Sequence, residues 1–133
     1  MKVIWNHKLG IVFTGIGVRI QPGEVLIRVR AAEATKADCE LRSLRFAVSW
    51  FWLPLRLGFG VLRPRRKILG TYFAGEVLEL GPGATRFAVG DEVYGGLGLH
   101  MGAYGEYVAV PEDASIVVKP ANMSFEEAAA VPL

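Results

Sequence analysis

Pro22-Gly23 marks a turn, and Glu24-Val25-Leu26-Ile27-Arg28-Val29-Arg30 follows it. Val25, Ile27 and Val29 share one face of that run and Arg28 and Arg30 the other, which is the period-2 pattern of a half-buried strand. Upstream, Val3-Ile4-Trp5 and Ile11-Val12-Phe13 read as short strands on either side of Leu9-Gly10. Residues 31–45 mix Ala, Glu, Lys, Asp and Arg and suit a short helix. Beyond the basic break Arg63-Pro64-Arg65-Arg66-Lys67, a strand at Glu76–Leu80 runs into the turn Gly81-Pro82-Gly83, and Gly90-Asp91 feeds a second at Glu92–Tyr94. Gly95 to Gly102 reads as a surface loop that its glycines allow to turn. Tyr104 to Val110 reads as a strand ended by Pro111, and Ile116-Val117-Val118 as another, ended by Lys119-Pro120. Ser124-Phe125-Glu126-Glu127 has the spacing of a capping box, and Ala128-Ala129-Ala130 carries the helix on.

Short strands with turns between them, one helix in the middle and one at the end, predict a mainly β (α+β) fold, a small barrel or sandwich. The last helix reaches Leu133 after barely two turns, and so short a helix is marginal alone. It reads as the start of a helix that continues in a longer protein.

Composition narrows the class. With 133 residues, 52% hydrophobic and 21% charged, the chain has the make-up of one globular domain, not of a disordered segment. A net charge of +2 gives no electrostatic reason for a nucleic-acid partner. Cys39 is the single cysteine, so no disulfide forms within the chain, which suits a reducing compartment. The opening Met1-Lys2-Val3-Ile4-Trp5-Asn6-His7 lacks the apolar run of a secretory signal. A cytoplasmic location is the expectation.

Six segments in order resemble the medium-chain dehydrogenase/reductase superfamily, in its alcohol dehydrogenase-like, zinc-free quinone oxidoreductase-like branch. They are Pro22 to Val29, Ala34-Thr35-Lys36-Ala37-Asp38, Leu69 to Val77, Gly81-Pro82-Gly83 with Phe87 to Gly95, Gly102 to Val108, and Lys119 to Ala129. Residues 1–21 match poorly. The resemblance implies that residues 1–133 form a GroES-like N-terminal catalytic domain, a partly open β-barrel with short helices. It also implies a following Rossmann domain, absent from this chain, that holds NADPH or NADH, and a homo-oligomer at full length. Gly96-x-Gly98-x-x-x-Gly102 is one residue too long for a dinucleotide fingerprint and leads into an expected strand, not a helix.

Zinc is not expected. The zinc-dependent branch has Cys where this chain has Thr35 and His-Glu where it has Thr71-Tyr72, while His7 and His100 stand in no ligand spacing. The resemblance then implies hydride transfer from NAD(P)H to a quinone, an enone or a related carbonyl, with the protein supplying position and electrostatics. Thr35 stands where relatives commonly carry Asn, so its hydroxyl is a candidate donor to the carbonyl oxygen. A turn-satisfying role is equally open to it. Lys36 would add positive charge, and Tyr72 a phenolic donor or a core ring. Asp38 is a candidate for substrate binding and also a helix-capping acid. Cys39 reads as a small buried side chain.

Residues 46–62 are apolar and aromatic, with Trp50 and Trp52 as candidate substrate contacts in a cleft-covering excursion. The run falls short of the roughly 20 residues needed to span a bilayer, and Arg56 inside it would cost about 2.5–3.5 kcal/mol there. Residues 46–67 together suit a partner or membrane surface better than a span. Two function classes follow. One is the catalytic domain of an NAD(P)H-dependent oxidoreductase, inactive as this segment alone. The other is a stand-alone GroES-like module that binds through residues 46–67.

Overall fold

The computed structural model describes residues 4–6, 11–13, 18–43, 54, 57 and 68–131. Residues 46–62, with Trp50 and Trp52, lie outside them apart from Pro54 and Leu57. No helix among the described residues is long and apolar enough to cross a membrane.

Strands β1 (Ile4–Asn6), β2 (Ile11–Phe13) and β3 (Arg19–Ile20) form a three-stranded antiparallel sheet in sequence order. The main sheet is built from β4 (Glu24–Glu33), β5 (Tyr72–Leu80), β6 (Glu92–Gly96), β7 (Tyr107–Pro111) and β8 (Ser115–Val118), all antiparallel, in the order β7-β4-β5-β6-β8. It is open between β7 and β8, its edge strands among the described residues. This is the mainly β fold that the turn pattern predicts, and it is partly open as the family resemblance implies. Two short helices accompany it, α1 (Lys36–Ser43) and α2 (Phe125–Ala130).

β4 is buried more heavily than simple alternation predicts. Val25 and Ile27 enter the main core with Phe73, Val77, Val93, Val110 and Ile116. Leu26, on the opposite face, is equally buried, because Ile20 covers it with Val18, Leu78, Tyr107 and Ala109. The second layer comes from β3, which the alternation along β4 does not reveal. Two register shifts against β5, at Leu26/Ile27 and Val29/Ala31, bend β4 in the manner of bulges. The strand continues to Glu33, so the helix expected over 31–45 is confined to Lys36–Ser43.

The strand expected from Tyr104 begins only at Tyr107, since Ala103–Glu106 turns. The Gly95–Gly102 segment is not wholly a surface loop. Gly98–His100 forms a 3-10 turn, and Leu97 and Met101 on either side of it are buried. Gly95, at φ +152°, lets β6 pass against the backbone of Ser115 and Ile116 in β8, where a Cβ would collide with main-chain atoms.

The capping box on α2 is present in both directions, Glu127 N to Ser124 Oγ at 3.1 Å and Ser124 N to Glu127 Oε2 at 2.8 Å. Ala128 and Ala129 pack the helix against Ala74. Lys119, almost fully buried, ties the approach to this helix. Its Nζ donates to the Met123 carbonyl (2.7 Å), pairs with Glu92 (2.9 Å) and lies over the Phe125 ring. A buried ammonium is tolerated only with such partners.

The turn after β5 is fastened to the β7–β8 turn by Arg86 and Glu112. Glu112 accepts from the Thr85 and Arg86 amides, both at 2.7 Å, and Arg86 donates to the carbonyls of Glu112 and Ile116. The Arg86 and then the Thr85 amide hold the Glu112 carboxyl below its ordinary 4.5. A carboxyl depressed in the folded state adds stability that is present above the unfolded value and is lost as pH falls through the folded one. Glu112→Gln is therefore expected to lower the melting temperature at pH 7, and the gap from wild type should shrink below about pH 4.5. A gap that is unchanged at pH 3 would show that Glu112 acts without its charge.

Candidate functional site

The C-terminal end of β4, the start of α1 and the entry to β5 meet at one end of the main sheet. Glu33 pairs across with Tyr72, the first residue of β5. Thr35 stands immediately before α1 and Asp38 is the third helical residue. The two form a reciprocal cap. Asp38 N donates to Thr35 Oγ1 (3.2 Å) and Thr35 N to Asp38 Oδ2 (3.1 Å). These bonds satisfy amides that a helix start leaves free. The Thr35 hydroxyl itself donates to Asp38 Oδ2 at 2.8 Å.

Asp38 is 3% exposed. Its Oδ2 also accepts from the Tyr104 hydroxyl at 3.1 Å, while its Oδ1 is buried without a partner among the described residues. Tyr104 OH lies 3.3 Å from the Glu33 carbonyl as well. Burial first, then the hydrogen bond to Asp38, then the charges of Asp38, Cys39 and Glu33 push the Tyr104 phenol up to about 12. It keeps its proton at any physiological pH.

Sequence reasoning missed Tyr104 because a strand was expected there. The available signal was Gly102-Ala103-Tyr104-Gly105, two glycines around an aromatic residue, which favours a turn over a strand. Gly70 is what admits the ring. Buried, at φ +98°, it would place a Cβ 2.8 Å from Tyr104 N and 2.9 Å from its Cδ1, a conformation and a contact that suit only glycine.

The other sequence candidates separate. Tyr72 is half-buried, its ring lying across Gly96, where a Cβ would approach Cε1 to 3.1 Å. Its hydroxyl makes no hydrogen bond to another described residue. The Lys36 side chain is 84% exposed and lies 3.9 Å from Glu40, a surface pair worth only about 0.3–0.5 kcal/mol. Its ammonium stays hydrated and can swing. Cys39 is exposed, not buried. Asp38 holds the inward-facing position of this turn, so the next residue points outward.

The described residues contain no group of three His, Cys, Asp or Glu side chains that could hold a metal. Hydroxyl donors such as Thr35 and Thr71 do not fit zinc, which prefers thiolate, imidazole and carboxylate. The glycine-rich run Gly95–Gly105 holds a 3-10 turn and leads to β7. It does not fit a pyrophosphate, which needs the amides of a helix start.

Residues 21–121 match the model of the alcohol dehydrogenase GroES-like domain. The chain belongs to that family. Its six ordered motifs thus mark a true membership of the medium-chain dehydrogenase/reductase superfamily. The GroES-like domain is 33% identical over 121 residues to a 2-methylene-furan-3-one reductase of Solanum lycopersicum, covering 86% of this chain and 28% of that protein. It is 31% identical over 121 residues to a chloroplastic NADPH-dependent alkenal/one oxidoreductase of Arabidopsis thaliana, again 86% and 28%. Among solved structures it matches the quinone oxidoreductase from Coxiella burnetii with a TM-score of 0.65 at 30% identity, over 86% of this chain and 35% of that one. The chain thus spans about a third or less of the length of these relatives.

Proposed function

We propose that this chain is the substrate-binding part of an NADPH-dependent oxidoreductase that reduces quinones or α,β-unsaturated carbonyls, with no part played by zinc. The observation that carries the reading is the uncommitted Tyr72 hydroxyl at the same sheet end as the bonded group Thr35–Asp38–Tyr104. The names of the enone- and quinone-reducing relatives support the substrate class. NADPH, when bound, supplies the hydride. The chain's own residues serve the oxygen of the substrate, on which negative charge builds. Donors set in advance at that point stabilise the transition state more than the ground state.

Tyr72 is free to donate as it stands. Thr35 can donate once its proton turns from Asp38, which still keeps the Thr35 amide and the Tyr104 hydroxyl. Lys36 at the rim adds positive charge. Asp38 shapes the substrate site by holding Thr35. Trp50 and Trp52 remain proposed contacts for a flat substrate, and the full-length protein is proposed to be a homo-oligomer.

The test is cofactor oxidation by the full-length gene product. NADPH and NADH would be supplied in turn against quinones, enones and saturated ketones. Turnover of quinones or enones with NADPH is expected. Turnover confined to saturated substrates would overturn the reading. Elemental analysis of protein purified without chelator is expected to find less than about 0.1 zinc per chain, since hydroxyl donors do not compete for this ion. A stoichiometric zinc that tracks activity would refute the zinc-free chemistry.

A further inference from the structure

Tyr104 is not among the expected site residues, yet it joins three separate segments. It donates to Asp38 at the start of α1, lies beside the Glu33 carbonyl at the end of β4, and sits on the Gly70 turn that leads into β5. We propose that Tyr104 is a positioning residue that acts through Asp38 to govern whether the Thr35 hydroxyl can turn toward a substrate. This rests on the reading of Thr35 as part of the substrate site.

The reasoning concerns one oxygen. Asp38 Oδ2 takes three donors, Thr35 N at 3.1 Å, Thr35 Oγ1 at 2.8 Å and Tyr104 OH at 3.1 Å, whereas Oδ1 takes none among the described residues. A carboxylate this deeply buried depends on its donors, and each charge-assisted bond is strong. When the Thr35 proton turns to a substrate oxygen, Tyr104 and the Thr35 amide remain on Asp38, so the turn is tolerable. Without the Tyr104 hydroxyl, the Thr35 proton becomes one of two remaining donors, and the carboxylate holds it more firmly. Less of it is then available to the substrate.

The charges that act on the phenol are those of Asp38 and Cys39 from α1 and Glu33 from β4. All three favour the protonated phenol, so Tyr104 stays a donor across the working pH range. Its raised value also means that its contribution to stability is complete below pH 10 and is lost as pH rises toward 12.

The test uses Tyr104→Phe, Thr35→Val and the double variant in the full-length protein, assayed with NADPH and the best quinone or enone. Tyr104→Phe keeps the ring and should lower kcat about 5- to 10-fold, the effect of one net hydrogen bond, with KM within about twofold. In the Thr35→Val background it should have no further effect, because there is no hydroxyl left to govern. Losses that multiply would show a merely structural role and overturn the proposal. The ultraviolet titration of tyrosine, wild type minus Tyr104→Phe, should show one phenol ionising near pH 12, and Asp38→Asn should bring it toward its ordinary range. A Tyr104 that ionises near 10 in the wild type refutes the bond to Asp38 whatever the kinetics. If the phenol titrates high but no carbonyl turns over, the site reading itself has failed and the proposal falls with it.

Discussion

Thr35→Val in the full-length protein is expected to lower kcat about 10- to 100-fold while changing KM much less. Valine matches the shape of threonine and removes the proton that would meet the developing oxyanion. Loss of one such donor typically costs about 100- to 1,000-fold. A smaller effect is expected here because Tyr72 offers a second donor and Lys36 a mobile charge. The substitution also removes the acceptor for the Asp38 amide, and loss of a helix cap costs about 0.5–2 kcal/mol of stability. Melting curves must therefore accompany the kinetics. Thr35→Ser retains both the donor and the cap and should keep most of the activity. A threefold or smaller loss of kcat in folded Thr35→Val would leave Thr35 as a cap alone and pass its role to Tyr72.

The largest loss of stability is expected from Phe73→Ala. Phe73 is fully buried in the middle of the main sheet, with β4 on one side and β6 on the other, opposite Ala32 and Gly95. Its ring meets the largest cluster of the core. Small neighbours on both strands cannot collapse into the space left behind, so transfer and cavity terms add. The expected cost is about 3–5 kcal/mol, or a fall in melting temperature on the order of 10–20 °C. Since whole domains are stable by only about 5–15 kcal/mol, low soluble yield at 37 °C is the practical sign. A fall of under about 4 °C would show that Phe73 does not anchor the core.

Much of this was legible in the residues, and what was not has physical causes. β4 follows from its alternation and from Pro22-Gly23, and the α2 cap from Ser124 and Glu127, because both are local patterns in which each residue answers a neighbour. The Thr35–Asp38 cap is equally local, and each half of it was open to reading as a turn or capping residue. Leu26 was not legible as core because its cover, Ile20, belongs to another sheet. Tyr104 was not legible as a partner of Asp38 because 66 residues separate them, and only the fold brings the Gly70 turn under the ring. Arg86 and Glu112 show the same limit. Each looks like an ordinary surface charge until the turns after β5 and β7 come together.

The order β7-β4-β5-β6-β8 bears on how the chain is made. On a ribosome, β4 emerges early with Val25, Leu26 and Ile27 in a row, yet its partners are Leu80 and its neighbours on one side and Val110 and its neighbours on the other. At roughly 5–20 residues per second, several seconds pass before the second edge of β4 can be paired. Pairings this distant in sequence also close slowly. Until β5 emerges both edges of this sticky strand are open, and until β7 emerges one still is, so β4 is where a holding chaperone would engage and where misfolding at high expression would begin.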